Sequence, residues 1–210
     1  MFVIFLSAFT LAFSGAMMPG PVLTYTIKQA LNSGPYSGFI IIAGHAVLEL
    51  ILIVLIFLGF NTILQSNFAQ ISIGLIGGVL LIYMGLDMVL GSLKNKIKIE
   101  LDFTKANSKN MFLSGIVISA VNPYFLLWWA IIGLGFLIQA YKLLGTAGVL
   151  VFYTGHILAD FAWYGSISMI VGKTRKFIKE NLYRIIIILL GGLLIFFGGS
   201  FLLKAILTLI

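Results

Sequence analysis

The chain contains no cysteine. That excludes disulfides, thiolate metal sites and the CxxC chemistry of membrane thiol–disulfide carriers. Charge is nearly as scarce. Only 9% of the 210 residues are Asp, Glu, Lys or Arg, against roughly a quarter in a soluble domain. With 61% hydrophobic residues and a mean hydropathy of +1.16, the chain has too few polar groups to clothe a globular surface in water. It reads as an all-α integral membrane protein. It has no P-loop, no Ser/His/Asp set and no HExxH, so no nucleophile motif supports an enzyme. The first segment has neither a basic start nor an Ala-x-Ala cleavage pattern before its apolar run ends near Ile27. It is therefore expected to be retained rather than cleaved.

A spanning helix needs about 20 apolar residues. Six such stretches can be drawn: Phe2–Ile27, Gly38–Phe60, Ile71–Leu90, Met111–Gln139, Leu144–Val171 and Leu182–Leu209. The one long polar segment, Ser92 to Asn110, is rich in Lys and Asn and reads as a solvated linker between residues 1–91 and 111–210. If the stretches alternate across the bilayer, eleven of the 13 basic residues fall on one side, and only Lys142 and Lys204 on the other. The positive-inside rule makes the basic side cytoplasmic and puts both termini outside. Clustered lysines of this kind determine topology and contact anionic lipids. No nucleic-acid partner is expected.

The two halves repeat. Gly44-His45 answers to Gly155-His156, the Gly77-Gly78 run to Gly191-Gly192, and Pro19-Gly20-Pro21 to Asn122-Pro123. Three spans per half is an odd number, so the second copy enters the membrane from the opposite face. The expected fold is six transmembrane helices arranged as two inverted three-helix repeats, with a site near the midplane between them.

Chemistry concentrates in two phrases. Gly44-His45-Ala46-Val47-Leu48-Glu49 and Gly155-His156-Ile157-Leu158-Ala159-Asp160 each place a histidine and a carboxylate four residues apart. On a helix both project from one face. An acid at the centre of a membrane helix costs about 2.5–3.5 kcal/mol on insertion scales. Leu or Val would fill the space without that cost, so twin pairs point to function. Histidine titrates near neutral pH, which suits proton uptake and release. The same four ligands could instead hold a divalent transition metal.

Pro19-Gly20-Pro21 removes two backbone donors within three residues, and Asn122-Pro123 does similar work in the matching helix. Each is either a kink or a discontinuous helix whose exposed backbone faces a substrate. Their matched positions favour the second reading. Trp128 and Trp163, which follow Asn122-Pro123 and Asp160, are candidate cavity aromatics, as are Phe125, Trp129 and Tyr164. The paired glycines read as structural, allowing close helix packing.

The order of these motifs resembles the lysine exporter (LysE/RhtB) family of amino-acid efflux proteins. Those proteins carry Pro-Gly-Pro late in the first segment, Asn-Pro early in the fourth, and glycine-rich second, third and sixth segments. The resemblance implies secondary export of amino acids driven by the proton-motive force, from the cytoplasmic membrane, with no bound cofactor. The Gly-His-x-x-x-acid pair departs from the Gly-Asp that many members show, which marks a divergent subgroup. On this reading Glu49 and Asp160 carry protons and His45 and His156 tune or relay them. Pro19, Gly20, Pro21, Asn122, Pro123, Trp128 and Trp163 would meet the substrate. The rival readings are divalent-metal efflux through His45, Glu49, His156 and Asp160, and a non-transporting membrane scaffold. A homo-oligomer is left open.

Overall fold

Apolar runs without internal proline become long helices, and the two runs that contain proline break. The computed structural model describes residues 1–18, 20–60, 63, 66–93, 107–177 and 180–209, and every regular element among them is helical. In the first half these are α1 (Phe2–Ala16), α2 (Pro21–Ser33), α3 (Ser37–Leu55), which continues as a π-helical turn over Ile56–Phe60, and α4 (Asn67–Leu93). The second half holds α5 (Ser108–Ala120), α6 (Pro123–Trp128), a π-helical stretch Trp129–Gly133, α7 (Leu134–Thr174), a 3-10 turn Arg175–Phe177, and α8 (Glu180–Leu209). Most of the basic linker, residues 94–106, lies outside the described residues, as does Pro19.

Both breaks have local causes. α1 and α2 meet at 80°. Gly20 is extended (φ −144, ψ −173) and Pro21 opens α2 at its first position, where a missing N–H costs nothing. Asn122 is also extended (φ −79, ψ 111), its side chain accepts from Tyr124 N at 3.1 Å, and Pro123 opens α6. Asparagine is a favoured N-cap because that bond satisfies an otherwise orphaned donor. A third turn lies inside α7, where Gly145 adopts φ 58, ψ −143. A Cβ built at Gly148 would run into the carbonyl of Ala140, so the chain folds back on itself at this glycine. The turn falls where the sequence divides its fourth and fifth apolar stretches.

Four helical stretches are long and apolar enough to cross a membrane: Ser37–Phe60, Asn67–Leu93, Leu134–Thr174 and Arg184–Thr208. The bent pair α1 and α2 makes a fifth if it is one span. The count falls short of the six apolar stretches because Met111–Gln139 is broken at Asn122 and its second part runs on into α7.

Packing is by reciprocal pairs. α1 lies along α7, α5 lies along α3, and α4 packs against α8 in the largest helix–helix contact among the described residues. Small residues set each approach. The carbonyl of Phe112 on α5 sits where a Cβ of Gly44 would be, and the carbonyl of Phe5 on α1 lies 2.6 Å from the Cβ position of Gly155. Between α4 and α8, a Cβ at Gly78 would lie 2.9 Å from Gly198 O, and one at Gly198 would lie 2.7 Å from Gly78 O. Gly85 and Gly191 mirror this, at 2.5 and 2.8 Å. Without a hydrophobic drive between helices in lipid, such backbone-to-backbone approach is what holds them. Ile76, Val79, Tyr83, Leu86 and Leu90 point outward along the other face of α4, as a lipid-facing stripe should.

These contacts make a direct prediction. Gly85→Val puts side-chain atoms into the Gly191 carbonyl and overpacks the pair by about 1–3 kcal/mol, so folded yield should fall sharply. Gly192→Val, with nothing within 4 Å of its Cβ position, should leave the yield unchanged. Size-exclusion of detergent-extracted protein measures both, and equal yields would contradict the packing described.

Candidate functional site

His45 and Glu49 project from the buried face of α3, His156 and Asp160 from that of α7, and all four are buried. Each histidine directly follows one of the glycines that admit a neighbouring carbonyl. The close approaches of α5 to α3 and of α1 to α7 therefore occur at the level of the histidines. Tyr153, one turn before His156, donates to Ala46 O at 2.9 Å and ties α7 to α3 beside His45.

The four side chains converge. His45 Nε2 lies 3.3 Å from Glu49 Oε1 and 3.7 Å from Asp160 Oδ2. His156 Nε2 lies 3.0 Å from Glu49 Oε1 and 3.6 Å from Asp160 Oδ2. Each imidazole thus faces one carboxylate from its own half and one from the other. Trp129 Nε1 donates to Glu49 Oε1 at 3.2 Å, and His45 Nδ1 lies 2.7 Å from Ser119 Oγ. Among the described residues, Glu49 Oε2, Asp160 Oδ2 and His156 Nδ1 are buried with no hydrogen-bond partner. Orphaned buried acceptors and donors are costly and call for an occupant or a role.

Aromatic rings wall this centre. His156 sits 4.8 Å from Trp128, 5.6 Å from Trp129 and 6.0 Å from Phe152, while Phe125 meets His45 edge-on at 5.2 Å. Gly133 makes room for the tryptophans, since a Cβ there would lie 2.7 Å from the Trp128 ring and 2.8 Å from the Trp129 ring. Trp129 begins the π-helical stretch after α6, a local rewinding that recurs at functional sites.

The centre forms part of the wall of a cavity of about 460 Å³, and Gly20, Asn122, Trp128, Trp129, Tyr164 and Lys204 share that lining. The two chain breaks meet here, with the Cβ position of Gly20 3.9 Å from Asn122 Nδ2. Of the residues singled out from the sequence, His45, Glu49, His156, Asp160, Gly20, Asn122, Phe125, Trp128, Trp129 and Tyr164 face this one space. Pro21 and Pro123 open helices behind it, Pro123 packing on Gly77. Trp163 lies off the cavity, its ring 6.5 Å edge-on from Phe13. Ser119 and Lys204 were not anticipated. Ser119 stands three residues before Asn122, in the turn that precedes the break, and Lys204 counted only as a basic residue on the sparse side.

A family model described as LysE type translocator matches residues 13–205. The Bacillus subtilis (strain 168) protein named "Putative amino acid efflux protein YcgF" is 24% identical over 198 residues, which is 94% of each chain. No solved structure matches.

Two tryptophans separate a hydrogen-bonded role from a packing role. Trp129→Phe removes the donor to Glu49 and should cost about 1–3 kcal/mol in detergent unfolding. Trp163→Phe removes an indole N–H that is buried without a partner among the described residues, and should cost clearly less. Equal losses would show that the Glu49 bond contributes nothing.

Proposed function

This chain belongs to the LysE type translocator family, and from that premise we propose that it exports amino acids or similar small zwitterions across the cytoplasmic membrane, driven by protons. As a family member it is a multi-pass membrane transporter. The observation that carries the finer reading is the sharing of one cavity by the His/carboxylate centre, the two helix breaks and the tryptophans. An amino acid offers an ammonium, a carboxylate and a side chain. Glu49 and Asp160 attract the ammonium or the protons that replace it. The Asn122 amide and the first-turn N–H groups of α2 beside Gly20, which lack carbonyl partners within the helix, suit the carboxylate. Trp128 supplies apolar surface, and Pro21 and Pro123 act by holding the breaks open. Pro19 is proposed from the sequence alone.

The architecture proposed is two inverted three-helix repeats, residues 1–91 and 111–210, joined by a cytoplasmic basic linker over 92–110, with both termini outside. The reciprocal pairings support it. α1 with α7 answers to α5 with α3, and Gly78 with Gly198 answers to Gly191 with Gly85. This relation equates Gly78 with Gly191, one residue out of register from the alignment of the two Gly-Gly runs.

Proteoliposomes loaded with a labelled amino-acid mixture test the reading. An acid exterior should speed release of at least one amino acid over protein-free vesicles. Glu49→Gln and Asp160→Asn should each return release to the protein-free level. Release that ignores the gradient would overturn the coupling, and no release of any amino acid would overturn the substrate class. Because the chain has no native cysteine, single cysteines report topology cleanly. Positions 107–110 should label only from the cytoplasm and position 142 only from outside, and the reverse pattern would invert the orientation.

A further inference from the structure

The centre carries two carboxylates and two imidazoles, and among the described residues Glu49 Oε2 and Asp160 Oδ2 have no hydrogen-bond partner. With both acids ionised and both rings neutral it holds two negative charges in an apolar interior, a state that demands two compensating positive charges. The donor atoms are already gathered. One atom each from His45, Glu49 and Asp160 lies within 4.8 Å of the others, and His156 Nε2 stands 3.0 and 3.6 Å from the two carboxylates. The four N···O spacings run from 3.0 to 3.7 Å. Ligands at bonds of about 2.0–2.2 Å around a tetrahedral ion lie about 3.3–3.6 Å apart, and these four N···O spacings bracket that separation.

We infer that His45, Glu49, His156 and Asp160 form a binding site for one divalent first-row transition-metal ion of the zinc or cobalt class. The donor set selects this class. Two imidazole nitrogens disfavour Mg²⁺ and Ca²⁺, which take oxygen ligands in six or more positions, and the absence of thiolate disfavours soft Cu(I). One divalent ion supplies both compensating charges at a single point and gives Asp160 Oδ2 the partner it lacks. Both imidazoles present Nε2 to the centre. Ser119 beside His45 Nδ1 holds one ring in that orientation, as outer partners of metal-bound histidines do. The ligands come from α3 and α7, so a bound ion ties the two halves together at the cavity wall.

The site uses the same four residues to which the proton-driven reading assigns proton transfer, but its test needs no transport. Full-length protein in detergent is stripped with a chelator and titrated with Zn²⁺ by calorimetry and with Co²⁺ by visible absorption. One ion should bind per chain, Co²⁺ should show the intense d–d bands of a four-coordinate N/O site, and Zn²⁺ should raise the melting temperature in a concentration-dependent way. A large excess of Mg²⁺ should not compete. His156→Ala and Asp160→Asn should each weaken binding about tenfold or more. If a variant fails to fold, the wild-type stoichiometry, the Mg²⁺ competition and the Co²⁺ spectrum still decide the matter. No stoichiometric binding, displacement by Mg²⁺, or the spectrum of hexa-aqua Co²⁺ would overturn the site. Amino-acid release by the same preparation would be untouched by that failure.

Discussion

Two acids and two histidines in an apolar interior stabilise one another by direct contact. A carboxylate in hydrocarbon without a partner costs several kcal/mol, and most side chains around the four on α3 and α7 are apolar. The mutual contact of His45, Glu49, His156 and Asp160 therefore dictates where α3 and α7 cross. The close approaches at Gly44 and Gly155 follow from that crossing. If the helices met elsewhere, each acid would lose the imidazole from the opposite half, and Glu49 would lose the Trp129 N–H as well.

The cavity is the complement of that contact. Helices that close tightly at glycine cannot also close around a broken backbone. α1 and α2 diverge by 80°, and α5 gives way to α6 at Asn122, so space opens on the side of the centre where both breaks lie. Non-helical backbone at membrane depth persists only where protein or water satisfies it. Asn122 does so with its own side chain, and Gly20 lies against the Asn122 amide. The helix breaks and the opening of the cavity thus coincide in one place.

The pairs were legible because helical geometry alone puts residues four apart on one face, and because an acid amid Leu and Ile is conspicuous. The breaks were legible because proline removes a donor whatever surrounds it. Other features depend on packing that no local pattern encodes. Trp129 and Trp163 sit in equally apolar surroundings. The first reaches Glu49 because it starts a π-helical stretch after α6, and the second packs on Phe13. Ser119 becomes a partner of His45 only through the approach of α5 to α3. In the sequence Lys204 reads only as a topology marker, and the phase of α8 turns it to the cavity. Gly77 and Gly78 are identical in type, and only their neighbours tell them apart: Gly78 faces the Gly198 carbonyl on α8 and Gly77 packs on Pro123.

The central claim is that residues of the two halves interact directly in one centre, and a double-mutant cycle across the halves tests it most directly. Glu49→Gln and His156→Gln, singly and together, would be measured by reversible unfolding in detergent. Groups in contact within one network couple by about 0.5–3 kcal/mol, and the account predicts a value in that range, with the second change costing less once the first is made. Simple additivity, with coupling indistinguishable from zero, would mean that the two halves do not share this centre.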